Sequence, residues 1–167
     1  MAVLLVPAAA TASHTLLSTS TLSGTTTTIS GINQSYKHLY FEVFGVTSNT
    51  SNGTYKIEFG SATSMSTYSS NSTWQSQTAP VAALGTGAEP LRSNANNFWQ
   101  ITIFNYADAA TYKGFTCSGS YVDTTSTNRG YYLAGGSASN SAISSLIFTQ
   151  GSGNSFLTGT VRIYGVN

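Results

Sequence analysis

The chain has 167 residues, room for one domain with a sizeable core, and only 7% of them are charged, six Lys or Arg against five Asp or Glu. A formal charge of +1 lacks the clustered cations that displace counterions from phosphates, so no nucleic-acid partner is expected. A single cysteine, Cys117, excludes an intrachain disulfide and a cysteine-rich metal site, and the isolated His14 and His38 offer no zinc spacing, so no cofactor is expected.

Ser, Thr, Asn and Gly make up about half the chain, yet ten Tyr, eight Phe and two Trp supply enough ring surface for a packed fold. Surfaces so poor in charge tend to self-associate, which favours a subunit of an assembly. At the N-terminus, Val3, Leu4, Leu5 and Val6 form a short apolar run that Pro7 interrupts and no Lys or Arg precedes, unlike a signal peptide. No stretch approaches the ~20 apolar residues of a membrane-spanning helix, so no membrane partner is expected. Residues 1–24 are read as an extended assembly arm, with an edge strand of the chain's own domain as the alternative for the apolar run.

From Thr25 onward the pattern is strand after strand. In HLYFEVFGV, Leu39, Phe41 and Val43 alternate with Tyr40, Glu42 and Phe44, as in a strand central to a sandwich. TYKIEFG sets Tyr55, Ile57 and Phe59 against Thr54, Lys56 and Glu58, one side for core and one for water. FWQITIFNY and GTVRIYGV alternate in the same way, and weaker strands are expected over 25–32, 111–117, 130–133 and 143–149. Asn52-Gly53 is a tight-turn dipeptide and predicts that strands 38–46 and 54–60 pair as a hairpin. The glycines of GSGNSF, 151–156, are read as a second hairpin turn and not a phosphate cradle. Residues 61–97 carry the poorest strand signal and read as a long variable loop, with one short helix-like stretch at Pro80–Leu84. The fold expected for residues 25–167 is all-β: a single two-sheet antiparallel sandwich, jelly-roll-like, of about eight strands.

Chemistry is hard to find in this pattern. Glu42, Glu58, Glu89, Asp108 and Asp123 are dispersed, without the paired carboxylates of a hydrolase. Cys117 ends a strand-like run and reads as core, and His38 beside Lys37 has no orienting carboxylate in sequence and reads as a hydrogen-bonder at a strand edge. No catalytic or metal residue is therefore expected. Trp74, Tyr131 and Tyr132, with Tyr68, lie in or beside polar segments, where rings stack on sugars and Asn, Gln and Ser bond hydroxyls. Loop anchoring or a subunit interface is the more common use of such rings, since interfaces are also enriched in Tyr and Trp.

Four segments, SGINQSYKHLYFEVFGV (30–46), YKIEFGSATSMSTYS (55–69), ITIFNYADAATYKGFTCSG (101–119) and AISSLIFTQGSGNSFLTGTVRIYGV (142–166), carry a resemblance to structural proteins of tailed bacteriophages. The strand opening Tyr36-Lys37-His38-Leu39 and the closing run Gly159 to Val166 are its most specific parts. The resemblance implies a jelly-roll-like virion component without catalytic residues, such as a capsid decoration protein or a part of a tail or fibre. Expected partners are further copies of the chain, as a homotrimer closed by cyclic symmetry, and other virion proteins such as the major capsid protein. The alternative is a tail-fibre or baseplate adhesin that binds a host-surface glycan through Trp74, Tyr131 and Tyr132.

Overall fold

The computed structural model describes residues 13–49, 55–60, 97–122, 125–137, 139–151 and 153–167, and the backbone of three strands at 65–69, 74–75 and 81–84. Twelve strands are described: β1 (His14–Thr21), β2 (Thr26–Ser30), β3 (His38–Ser48), β4 (Tyr55–Phe59), β5 (Met65–Ser69), β6 (Trp74–Gln75), β7 (Val81–Leu84), β8 (Phe98–Ile103), β9 (Gly114–Val122), β10 (Asn128–Ser137), β11 (Ser145–Gln150) and β12 (Phe156–Val166). They form two antiparallel sheets, ordered β1-β12-β3-β8-β9-β10-β5-β6 and β2-β11-β4-β7.

The connectivity is that of a jelly roll. Strands β1, β2, β3 and β4 pair with β12, β11, β8 and β7 in that order, so the two halves of the chain form one long antiparallel ribbon. Wrapping that ribbon adds the β12–β3 and β11–β4 pairings and closes the two sheets over each other. Six of these eight wound strands, β2, β3, β4, β8, β11 and β12, are ones that alternation predicts, whereas β1 and β7 are not. The other four, β5, β6, β9 and β10, extend the large sheet beyond β8.

Alternation is what fills the space between the sheets. Leu39, Phe41 and Val43 of β3, Trp99, Ile101 and Ile103 of β8, and Val161 and Ile163 of β12 meet Ile57, Phe59, Leu146 and Phe148 of the small sheet, all buried. Edge-to-face ring contacts bridge the sheets, with Phe41 to Phe148 at 6.2 Å, Phe59 to Phe115 at 5.0 Å and Tyr55 to Trp99 at 5.6 Å between centroids. Each such pair contributes on the order of 1 kcal/mol beyond the area it buries. Cys117 is buried in this core, and burial pushes its thiol up to about 12, which leaves it inert as a nucleophile.

The two motifs of the phage resemblance meet in space. The Tyr36 ring lies flat over Gly165, where a Cβ would stand 2.3 Å from the ring, and the Lys37 N–H donates to the Val166 carbonyl at 3.1 Å. Leu39 is the register partner of Gly165 on the adjacent strand. These residues fasten the first half of the chain to the last strand, and their role is in the fold. At the same end, Lys113 is buried and donates through Nζ to the carbonyls of Thr111 and Asn140, which ties the β8–β9 connection to the segment before β11.

Several expectations are corrected. Strands β3 and β4 do not form a hairpin: they lie in different sheets, because each finds longer pairing partners in the second half of the chain. The turn of 151–156 likewise carries the chain from one sheet to the other and closes no hairpin, with Asn154 N–H donating to Gly151 at 3.2 Å. Val81–Leu84 is a strand on the edge of the small sheet and not a helix, since pairing with β4 overrides the helix preference of its alanines. Residues 61–97 hold three strands instead of one long loop. The sandwich also begins before Thr25: His14–Thr21 is paired along β12, so any arm lies in residues 1–13.

Candidate functional site

The large sheet presents an unusual outer side. Residues that alternate away from the core on β12, β3 and β8 include Arg162 and Tyr164, then His38, Tyr40, Glu42 and Phe44, then Phe98, Gln100 and Thr102, with Phe104 in the turn just after β8. The rings are organised: His14 stands edge-on to Tyr40 at 5.2 Å, Tyr40 lies 5.7 Å from Tyr164, and His38 meets Phe104 at 5.6 Å. Tyr40 donates through its hydroxyl to Glu42 Oε1 at 3.1 Å, and partial burial together with that carboxylate pushes its pKa up to about 12. Arg162, the register partner of Glu42, lies 4.9 Å over the Phe44 ring. Among the described residues of β1, β12, β3, β8 and β9, Glu42 and Arg162 are the acidic and basic side chains. The result is a broad surface of rings, hydroxyls and amides with almost no net charge.

A second feature lies at the edge of the sandwich. Among the described residues, strand β1 ends the large sheet and β2 ends the small one, so each has one backbone edge with no neighbouring strand, and a groove of about 380 Å³ runs between them. Leu16, Leu17, Ile29, Ile32, Tyr36 and Ile163 line it. The register of β1 on β12 slips between Leu16 and Ser18, and this bulge lets two consecutive leucines face the groove. Leu16 remains 54% exposed.

The residues singled out by sequence are placed unevenly. Val3, Leu4, Leu5 and Val6 lie outside the described residues, as do Glu89 and Asp123. Tyr132 is 47% exposed on β10. The backbone register sets Trp74 opposite Tyr68 and Tyr68 opposite Ala134, two residues from Tyr132, so Trp74 and Tyr132 belong to one face of the large sheet. Tyr131 is adjacent to Tyr132 on the same strand and so belongs to the opposite face, which separates it from the other two; the side chains of Trp74 and Tyr131 lie outside the described residues. Glu42 and Glu58 stand on the outer sides of different sheets with the core between them. Asp108 accepts from Ala110 N and Thr111 Oγ1, each at 2.7 Å, and these bonds hold its carboxyl below the ordinary value. His38 accepts at Nδ1 from the Asn105 N–H at 3.1 Å, the strand-edge hydrogen bond its position suggests.

Sequence reading passed over the ring cluster of His14, Tyr40 and Tyr164. The available signal was that HLYFEVFGV and GTVRIYGV carry rings on the face the core does not use. Leu16 and Leu17 left no such signal, because a bulge breaks the alternation. No group of three or more His, Cys, Asp or Glu is placed to hold a metal ion, and no helix is long and apolar enough to cross a membrane, among the described residues.

The fold and these surfaces define a jelly-roll sandwich with one ring-rich outer side and an open, apolar edge. Comparison with protein-family models, with curated proteins and with solved structures returns no match in any of the three.

Proposed function

We propose that the chain is a non-enzymatic structural subunit of a tailed-phage virion, a capsid decoration or cement protein that assembles through its sheet faces and N-terminal arm. The observation that carries this reading is the outer side of the large sheet. Rings ordered against one another, bordered by hydroxyls and amides and nearly free of charge, are the composition of a protein interface, which favours Tyr, Phe and Arg over Lys, Glu and Asp. The low charge of the chain and the sequence resemblance to phage structural proteins support the same reading.

The carbohydrate-binding adhesin is the second reading, favoured by the exposure of Tyr132 and by its sharing a sheet face with Trp74. One experiment separates the two. The chain is localised by electron microscopy on particles of the phage that encodes it, and the purified protein is sized by sedimentation. Trimers seated on the head lattice support decoration; density at a fibre tip, with glycan binding lost in Tyr132→Ala, supports adhesion. A chain absent from the particle and monomeric at every concentration overturns both.

A further inference from the structure

We infer that the groove between β1 and β2 is the receptor for the apolar run Val3–Val6 of a second copy, so that neighbouring subunits are joined by exchanged arms. This rests on the reading of the chain as an assembly subunit and names the site and the partner segment.

The groove is suited to an extended apolar segment. Ile29, Ile32 and Ile163 are nearly inaccessible at its floor, while Leu16 stands exposed at its rim. Among the described residues, both walls are edge strands whose outer row of backbone donors and acceptors pairs with no other strand, the template on which an added strand pairs. Left bare, such an edge invites uncontrolled association. The chain contains a matching occupant: Val3-Leu4-Leu5-Val6 is apolar throughout, and four extended residues span about 13 Å, the length of the wall from Thr15 to Ser18.

The path of the chain selects a neighbour over the subunit's own arm. The arm joins the sandwich at Ser13, immediately before the strand that forms the groove wall. To enter its own groove it must reverse within Pro7–Ser13. The sequence there, PAAATAS, has no Gly, Asn or Asp, the residues of a two-residue hairpin turn, so a reversal would have to take up the whole segment. Pro7 fixes its own φ and biases Val6 towards extended backbone. An arm that continues outward reaches another subunit, and in a closed ring every groove is filled by the arm of the next copy.

Engineered cysteines test the exchange, since Cys117 is buried and unreactive. Leu5→Cys and Leu16→Cys chains are mixed in denaturant, refolded together and oxidised. The expected product is a disulfide-linked dimer between the two variants, absent when Thr28→Cys, on the outer side of the small sheet, replaces Leu16→Cys. In the full chain, Leu4→Asp with Leu5→Asp is expected to weaken self-association about a hundredfold or more. A link formed only within one chain carrying both Leu5→Cys and Leu16→Cys overturns the exchange. Oligomers that form without any link overturn the groove as receptor and leave the assembly reading standing. A chain that stays monomeric throughout overturns both.

Discussion

The two outer sides of the sandwich are made by the same alternation and show different things to solvent. On the small sheet the outward residues among the described side chains are Thr26, Thr28 and Ser30 of β2, Ser145, Ile147 and Thr149 of β11, and Lys56 and Glu58 of β4. They fit a pleated surface, and no aromatic ring is among them. On the large sheet the equivalent positions hold His38, Tyr40, Phe44, Phe98, Phe104 and Tyr164. Core packing demands neither set, because both point away from it. Partly exposed rings set side by side carry a solubility cost that hydroxyls avoid, so their concentration on one side supports the proposal that this face is the one used for contact.

The comparison can be broken first at the sheets themselves. Gly119 on β9 crosses so close to β8 that a Cβ would lie 2.2 Å from the Phe98 carbonyl oxygen and 2.7 Å from Trp99 Cδ1. Gly119→Val should therefore cost about 3 kcal/mol or more, read as a loss of soluble protein or a large fall in Tm. Gly31, after β2, has open space around it and a φ of +71°, so Gly31→Ala should cost only about 1–2 kcal/mol of backbone strain. Equal losses at the two positions would show that the β8–β9 seam is looser than this geometry.

Next is the contact surface. Tyr40→Ala with Tyr164→Ala should lower self-association about a hundredfold by sedimentation while leaving the monomer folded. Thr28→Ala with Thr149→Ala, on the opposite side of the molecule, should leave association within about twofold. If the threonine pair proves the more damaging, the assignment of the two sides is reversed.

The smallest effect concerns pH. Burial and, to a lesser extent, the neighbouring Lys37 lower the pKa of His38, and its Nδ1 accepts a hydrogen bond only while unprotonated. The unfolded chain therefore takes up its proton first, near pH ~6.5. Stability from this residue is complete above that value and is lost as pH falls towards the lowered folded pKa. Tm should show a shallow decline below about pH 6.5 that His38→Gln reduces. A rise of Tm on acidification through this range would contradict the neutral state assigned to His38.

Much of the sandwich was legible because alternation is local. The inward rows Leu39-Phe41-Val43, Tyr55-Ile57-Phe59 and Trp99-Ile101-Ile103 are read straight from the sequence and are buried. Strand β1 escapes alternation because Leu16 and Leu17 are adjacent and a slip in register accommodates them, β5 and β6 because short strands held by backbone pairing need no apolar row, and β7 because its alanines read as helix. For the contact surface, Tyr132 was singled out, whereas Tyr40 and Tyr164 were read only as strand residues. Their proximity depends on β12 lying beside β3, a pairing between distant parts of the chain.

The amino-acid sequence alone determined an all-β chain, nearly without charge, in which each strong strand has one side for the core and rings remain for the other. A two-residue period follows from the geometry of a single extended backbone, and no partner is needed to impose it. Which strands lie together was decided only by tertiary structure. The ribbon that pairs β1 with β12 and β4 with β7 is stabilised once the two sheets close on a shared core, and that closure overrode the local hairpin signal at Asn52-Gly53. The same closure placed Tyr40 beside Tyr164 and opened the groove between β1 and β2, because both depend on contacts between distant segments, which local backbone geometry does not encode.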